Sequence, residues 1–130
     1  MDNPVYYVQY AHARVCSLLR RAEERGIKIP ASTDAETLAK LNQEEEIAIL
    51  RMLDQYEETV ARAAQSLAPH QITRYLTDLA ARLHAYYAHC SIISQDDIPL
   101  STARLALVRA AAQTLRNGLF LLGVTAPEAM

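Results

Sequence analysis

Apolar residues recur along this chain at helical spacing, and no stretch of useful length alternates apolar with polar. That period belongs to α-helices buried on one face, so each long periodic stretch predicts a helix. The first runs from about Asn3 to Arg25. Asp2 or Asn3 supplies a capping oxygen, and Pro4 falls in the first turn, where its missing N–H leaves nothing unbonded. Val8, Ala11, Val15, Leu18, Leu19 and Ala22 form the apolar stripe. Arg20, Arg21 and Arg25 sit at the negative end of the helix dipole, and Gly26 supplies a left-handed stop.

A linker from Ile27 to Thr33 contains Pro30, and Asp34 opens a short helix through Leu41. Asn42 interrupts. Glu44, Glu45 and Glu46 then load the first turn of a helix expected to reach Leu67, with the acids read as a solvated start that the dipole favours. Its inward residues are expected to be Ile47, Leu50, Leu53, Tyr56, Val60, Ala64 and Leu67. Pro69 marks the start of a fourth helix carrying Ile72, Leu76, Leu79, Leu83 and Tyr86, which ends near Cys90. A loop from Ser91 to Leu100 leads to a last helix capped by Ser101 or Thr102, with Leu105, Val108, Ala112, Leu115, Leu119 and Leu122 on one face. Gly118 in its interior costs about 1 kcal/mol against Ala, which implies a close approach of another backbone. Gly123 ends it, and Val124–Met130 is an extended tail around Pro127. The reading is an all-α bundle of four long helices and one short one, forming a single domain over residues 1–130 without internal repeats.

Composition changes this picture little and narrows the function. The chain is 51% hydrophobic and 22% charged, with a net charge of −2. It therefore cannot coat nucleic acid by bulk charge, although a local basic face remains open to it. Cys16 and Cys90 lie inside apolar helical patterns and read as reduced core thiols. The sequence carries neither a signal-peptide pattern nor an apolar run of membrane-spanning length, so the cytoplasm is the expected compartment.

Catalytic constellations are missing. Three glycines cannot build a phosphate loop here, and there is no Glu-x-x-His and no zinc-finger cysteine spacing. His12 and Cys16 share a helix face, but two ligands make no stable zinc site. His84 and His89 diverge by about 140° around their helix. Glu57 with Glu58, and Asp96 with Asp97, lack the apolar pocket that tuning a carboxylate requires. Tyrosine is the abundant aromatic: Tyr6, Tyr7 and Tyr10 cluster on the first helix, while Tyr86 and Tyr87 stand beside His89 and a loop, with Arg104 opening the next helix. Stacking aromatics beside a cation are what single-stranded RNA uses. Spacing alone favours the plainer assignment, with Tyr86 in the core and Tyr87 on a half-exposed flank.

The opening Asp2-Asn3-Pro4-Val5-Tyr6-Tyr7-Val8-Gln9-Tyr10-Ala11-His12-Ala13-Arg14 resembles the stretch that starts the helical anticodon-binding domain of the arginine–tRNA ligase family. Ala103-Arg104-Leu105-Ala106-Leu107-Val108, Asn117-Gly118-Leu119, Leu121-Leu122-Gly123-Val124 and Ala126-Pro127-Glu128-Ala129-Met130 are similar to the end of the same domain. One departure is Ala129, where the family usually carries Arg before the final Met. The signatures of the form HIGH and KMSKS are absent, as expected of a fragment of a larger synthetase.

The resemblance implies a domain that recognises the tRNA(Arg) anticodon stem-loop during ATP-dependent arginylation. It has no catalytic residue, metal or cofactor of its own, since ATP and Mg belong to the catalytic domain. Its partners would be tRNA(Arg) and that catalytic domain, with no membrane and no DNA among them. Carried onto this chain, the RNA-binding residues are Tyr86, Tyr87, His89, Ile92, Arg104 and Met130. Tyr6, Gln9, His12 and Arg14 are assigned to the interface with the catalytic domain and the tRNA stem. The alternative on the residues alone is a non-catalytic protein-interaction bundle, which would present apolar patches on its first helix.

Overall fold

Helix α1 (Pro4–Glu24) begins where the Asn3 side chain accepts the N–H groups of Val5 and Tyr6. The computed structural model describes residues 3–130, so an Asp2 cap lies outside them. Helix α2 (Ala35–Leu38) is one turn, capped by Asp34. Helices α3 (Glu44–Asp54), α4 (Tyr56–Gln65), α5 (His70–His89) and α6 (Ile98–Leu121) follow, and no strand occurs among the described residues. The all-helical bundle is as the periodicity predicts.

Two boundaries differ from the sequence reading. The expected helix from Glu44 to Leu67 is divided at Gln55 into α3 and α4. At the break the Met52 carbonyl accepts the N–H of Gln55, three residues on, and also the Tyr75 hydroxyl from α5. The regular ladder is thereby interrupted, and Tyr56 turns against Tyr75 with ring centroids 5.8 Å apart. The buried face also shifts by one residue from the one expected, to Glu46 and Ile49 on α3 and to Ala63 on α4. Leu67 points outward at 89% exposure from a left-handed residue that ends α4. The last helix starts three residues before Ser101, because Asp97 caps it by accepting Leu100 N–H and Pro99 occupies its first turn. Ser101 is buried inside the helix, where its hydroxyl accepts Ser94 N–H and donates to Ser94 O.

Helix α6 is the central element. It buries residues on more than one face, among them Leu105, Leu107, Val108, Leu115 and Leu119, and packs against α1, α2, α3 and α5. Its close approach at Gly118 is to a side chain and not a backbone: a Cβ there would lie 2.5 Å from Leu76 Cδ2. Helix α6 runs against α1: Arg109 reaches the carbonyls of Ile29 and Pro30 just beyond the end of α1, while Gln9 near the start of α1 bonds Thr125 just beyond the end of α6. Gly123, at φ +76°, reverses the chain after α6 so that the tail returns along α1.

Candidate nucleic-acid interface

Three side chains of α1 fix the path of the tail through its backbone. Gln9 Nε2 donates to Thr125 O at 2.8 Å, and Arg20 Nη1 donates to Glu128 O at 3.2 Å. Between them, His12 Nδ1 lies 2.9 Å from Pro127 O. A carbonyl only accepts, so His12 carries its proton on Nδ1. His12 is 2% exposed. Its expected place on an outward interface is therefore corrected: the chain's own tail covers it, and Gln9 is engaged by the same segment. The thiol of Cys16 lies 3.8 Å from His12 Nδ1, and burial raises its pKa. Among the described residues, no three His, Cys, Asp or Glu gather as metal donors.

The clamped tail brings Met130 to a recess of about 230 Å³ lined with Tyr10, Ala13, Arg14, Ser17, Arg20 and Ala129. Both Tyr10 and Met130 are about half exposed there. Arg14 joins the recess to a second layer. Its guanidinium lies 4.4 Å from the centre of the Tyr87 ring, and its Nη1 donates to His84 Nδ1 at 2.9 Å. Accepting that bond leaves the His84 proton on Nε2, which is buried without a partner. Burial, followed by the neighbouring Arg14 charge, holds the His84 pKa below its ordinary value. Tyr10 stacks on His84 at 5.7 Å, and Tyr7 tilts against it at 5.1 Å. Tyr87 is partly buried, its hydroxyl has no partner, and burial pushes its pKa well above the usual tyrosine range. One face of α1 and α5 thus presents aromatic rings, two guanidinium groups and the chain's last residue together.

The remaining expected residues occupy a different corner. Tyr86 follows the apolar stripe of Leu79 and Leu83 inward and is 0% exposed, which removes it from any stacking face. Its hydroxyl donates to Glu46 Oε2, and burial ahead of that contact pushes its pKa far up. Arg104 is likewise turned inward, with Nε on Glu46 Oε2 at 2.8 Å and Nη1 on the Ser91 carbonyl at 3.0 Å. Ile92 is buried at 4% exposure. The cation, tyrosine and loop do meet as the sequence suggests, but they meet as an internal tie. His89 stays exposed, 4.0 Å from Glu45, and Tyr6 is exposed on α1.

Sequence reasoning missed Glu46 by reading the three acids as a solvated turn. It is wholly buried and also accepts Gln43 N–H at its own helix start. The signal was available: Glu46 lies three residues before buried Ile49 and seven before Leu53, on the face that helix α3 turns inward. Arg20 and His84, which complete the tail-side cluster, had no motif to mark them.

Comparison with known proteins places this architecture. The profile of the family described as the DALR anticodon binding domain matches residues 8–130. The arginine–tRNA ligase of Nitratidesulfovibrio vulgaris strain DP4 is 57% identical over 130 residues, covering 100% of this chain and 24% of that protein. The arginine–tRNA ligase of Oleidesulfovibrio alaskensis is 55% identical, with the same coverage of 100% and 24%. Among solved structures, the Thermus thermophilus arginyl-tRNA synthetase superposes with a TM-score of 0.77 at 37% identity, covering 95% of this chain and 21% of that one. The chain thus spans about a quarter of the length of the curated relatives it matches. Profile, sequence identity and superposition agree, and the chain belongs to the DALR anticodon binding domain family, in the form found in arginine–tRNA ligases.

Proposed function

We propose that this chain holds the anticodon stem-loop of tRNA(Arg) for an arginine–tRNA ligase whose catalytic part, with its ATP and Mg, works elsewhere in the cytoplasmic enzyme. The observation that carries the reading is the recess at the tail, where exposed Tyr10, Arg14 and Met130 converge beside Arg20. Unpaired RNA bases are recognised by stacking on aromatic rings and guanidinium planes, with cations on the adjoining phosphates. The recess is smaller than the roughly 300–1,000 Å³ of a drug-sized pocket, which suits one base turned out of a loop. Arg14 already lies over Tyr87, so a base would stack on the outer side of that pair or on Tyr10. The net charge of −2 is compatible with this role, because affinity in a multidomain ligase is shared among several contacts.

The test is fluorescence anisotropy of a labelled tRNA(Arg) anticodon hairpin against the chain at low salt, beside a hairpin with a changed anticodon. Preference for the arginine anticodon is expected, with Tyr10→Ala weakening the matched hairpin by about 1–3 kcal/mol if that ring stacks on a base. Equal affinity for both hairpins, unaltered by Tyr10→Ala, would remove base reading from this surface.

A further inference from the structure

The tail leaves the bundle at Gly123 and has few means of staying on it. Val124 N–H bonds Leu119 O, and Val124 and Ala126 pack against the core. Beyond Ala126 the apolar anchorage ends: Pro127 is half-buried, and Glu128, Ala129 and Met130 are exposed. From there to the recess, the described residues supply two bonds, His12 with Pro127 O and Arg20 with Glu128 O. These two are unequal. Arg20 is exposed, so water competes for its 3.2 Å bond. His12 is 2% exposed and is the one polar residue among those that α1 buries, so packing fixes its ring and its 2.9 Å bond is shielded. Its other neighbour, the Cys16 thiol at 3.8 Å, is a weak partner. The leverage is large. Met130 lies three residues past Pro127, a reach of about 10 Å at full extension. If Pro127 is released, the next held carbonyl behind it is that of Thr125, and the reach grows to about 17 Å. The volume open to Met130 then grows roughly five-fold, with only the exposed Arg20 bond to oppose it.

We infer that His12 is a positioning residue for RNA binding: from inside the bundle its Nδ1–H holds the Pro127 carbonyl, and so seats Met130 in the recess with Tyr10 and Arg14. It touches no RNA itself and acts through the tail alone. The RNA half of this inference rests on the anticodon reading above; the tail half does not. Ordering the tail in advance spares the complex the entropy of ordering it on binding, which is how a buried side chain far from the bases raises affinity.

The experiment compares the unaltered chain with His12→Leu, which keeps apolar bulk and loses the donor, and with His12→Asn, whose amide N–H stands where Nδ1 does relative to the backbone. His12→Ala is a second loss of the donor, used if Leu disturbs the helical content seen by circular dichroism. Each is made with Met130 and with Met130→Ala. Two readouts are taken: NMR order parameters of the Glu128, Ala129 and Met130 amides, and affinity for the matched hairpin. His12→Leu is expected to drop the order parameters from near about 0.85 to below about 0.6. It should weaken the hairpin several-fold, and His12→Asn should restore both. Paired with Met130→Ala, His12→Leu should cost no further affinity, because residues that act through one another are not additive. Unchanged order parameters in a folded donor-loss variant would overturn the tail half. A loosened tail with unchanged affinity, or an equal fold-loss with and without Met130, would overturn the RNA half. If the unaltered chain binds matched and changed hairpins alike, the anticodon reading fails, the RNA half falls with it, and the order parameters decide the tail half alone.

Discussion

Tyr86 and Tyr87 are neighbours on α5, yet deleting the same oxygen from each should move stability in opposite directions. Tyr86 donates its hydroxyl to Glu46, which sits at 0% exposure. Tyr86→Phe removes a hydrogen bond to a buried charge, a change of about 1.5–3 kcal/mol against the folded state. Tyr87 buries its hydroxyl with no partner among the described residues. An unpaired buried donor costs about 1–3 kcal/mol, and Tyr87→Phe lifts that penalty while keeping the ring under Arg14. The two variants should therefore differ by about 3 kcal/mol or more, with Tyr87→Phe the more stable. With a urea slope of about 1–3 kcal/mol per M, their unfolding midpoints would lie about 1 M or more apart. Urea titrations followed by circular dichroism measure this directly, and equal slopes would confirm that only stability has changed. Equal destabilisation by both substitutions would refute the reasoning, since it would show that the Tyr87 hydroxyl is satisfied in solution.

Two further outcomes follow from the packing and the charges. Gly118→Ala places a methyl 2.5 and 2.7 Å from the δ carbons of Leu76, which is 0% exposed. Overpacking of about 1–3 kcal/mol then outweighs a helix-propensity gain of about 1 kcal/mol; urea unfolding should show net destabilisation that Leu76→Ala partly relieves, and strict additivity of the two changes would contradict this. His84 has a folded-state pKa below its ordinary 6.5, because burial and then Arg14 oppose its protonation. Above 6.5 both states are neutral at this site; as pH falls through 6.5 the unfolded chain binds the proton first, so stability drops. His84→Gln should flatten that part of the stability profile measured between about pH 7.5 and 5.5, and an unchanged slope would place the linkage elsewhere.

Much of the fold could be read from apolar spacing because long stripes are redundant. Leu105, Val108, Ala112, Leu115 and Leu119 repeat one signal often enough that no single residue decides it, and all are buried. The break at Gln55 was not legible, because its cause is a hydroxyl from Tyr75, a tertiary partner with no trace in the local pattern. The start of α6 was misplaced because Asp97, Ser101 and Thr102 are all competent caps in sequence, and only burial shows that Ser101 is employed inside the bundle. The candidate site was legible as composition and not as geometry. Arg14, Tyr87 and Met130 do come to one face, while Tyr86 and Arg104 come to another by way of Glu46. A helix advances about 100° per residue, so adjacent tyrosines were bound to part company. Which of them faced inward depended on the stripe of Leu79 and Leu83.

The tail shows why one substitution need not disturb such a surface. The resemblance implies an Arg at the position of Ala129, which raises the question of what supports the final Met. Each of the three clamps reaches a backbone carbonyl, of Thr125, Pro127 or Glu128, and none reaches a tail side chain. None of these three clamps depends on the side chain at 129, and the tail is further held by Val124 N–H on Leu119 O and by packing of Val124 and Ala126 against the core. The missing cation is also not missing from the site. Arg20 lines the same recess as Ala129 while its Nη1 holds the Glu128 carbonyl, and Arg14 stands on the other side of Ser17. Positive charge beside the end of the tail is thus supplied from α1, by Arg14 and by an Arg20 already tied to the Glu128 carbonyl.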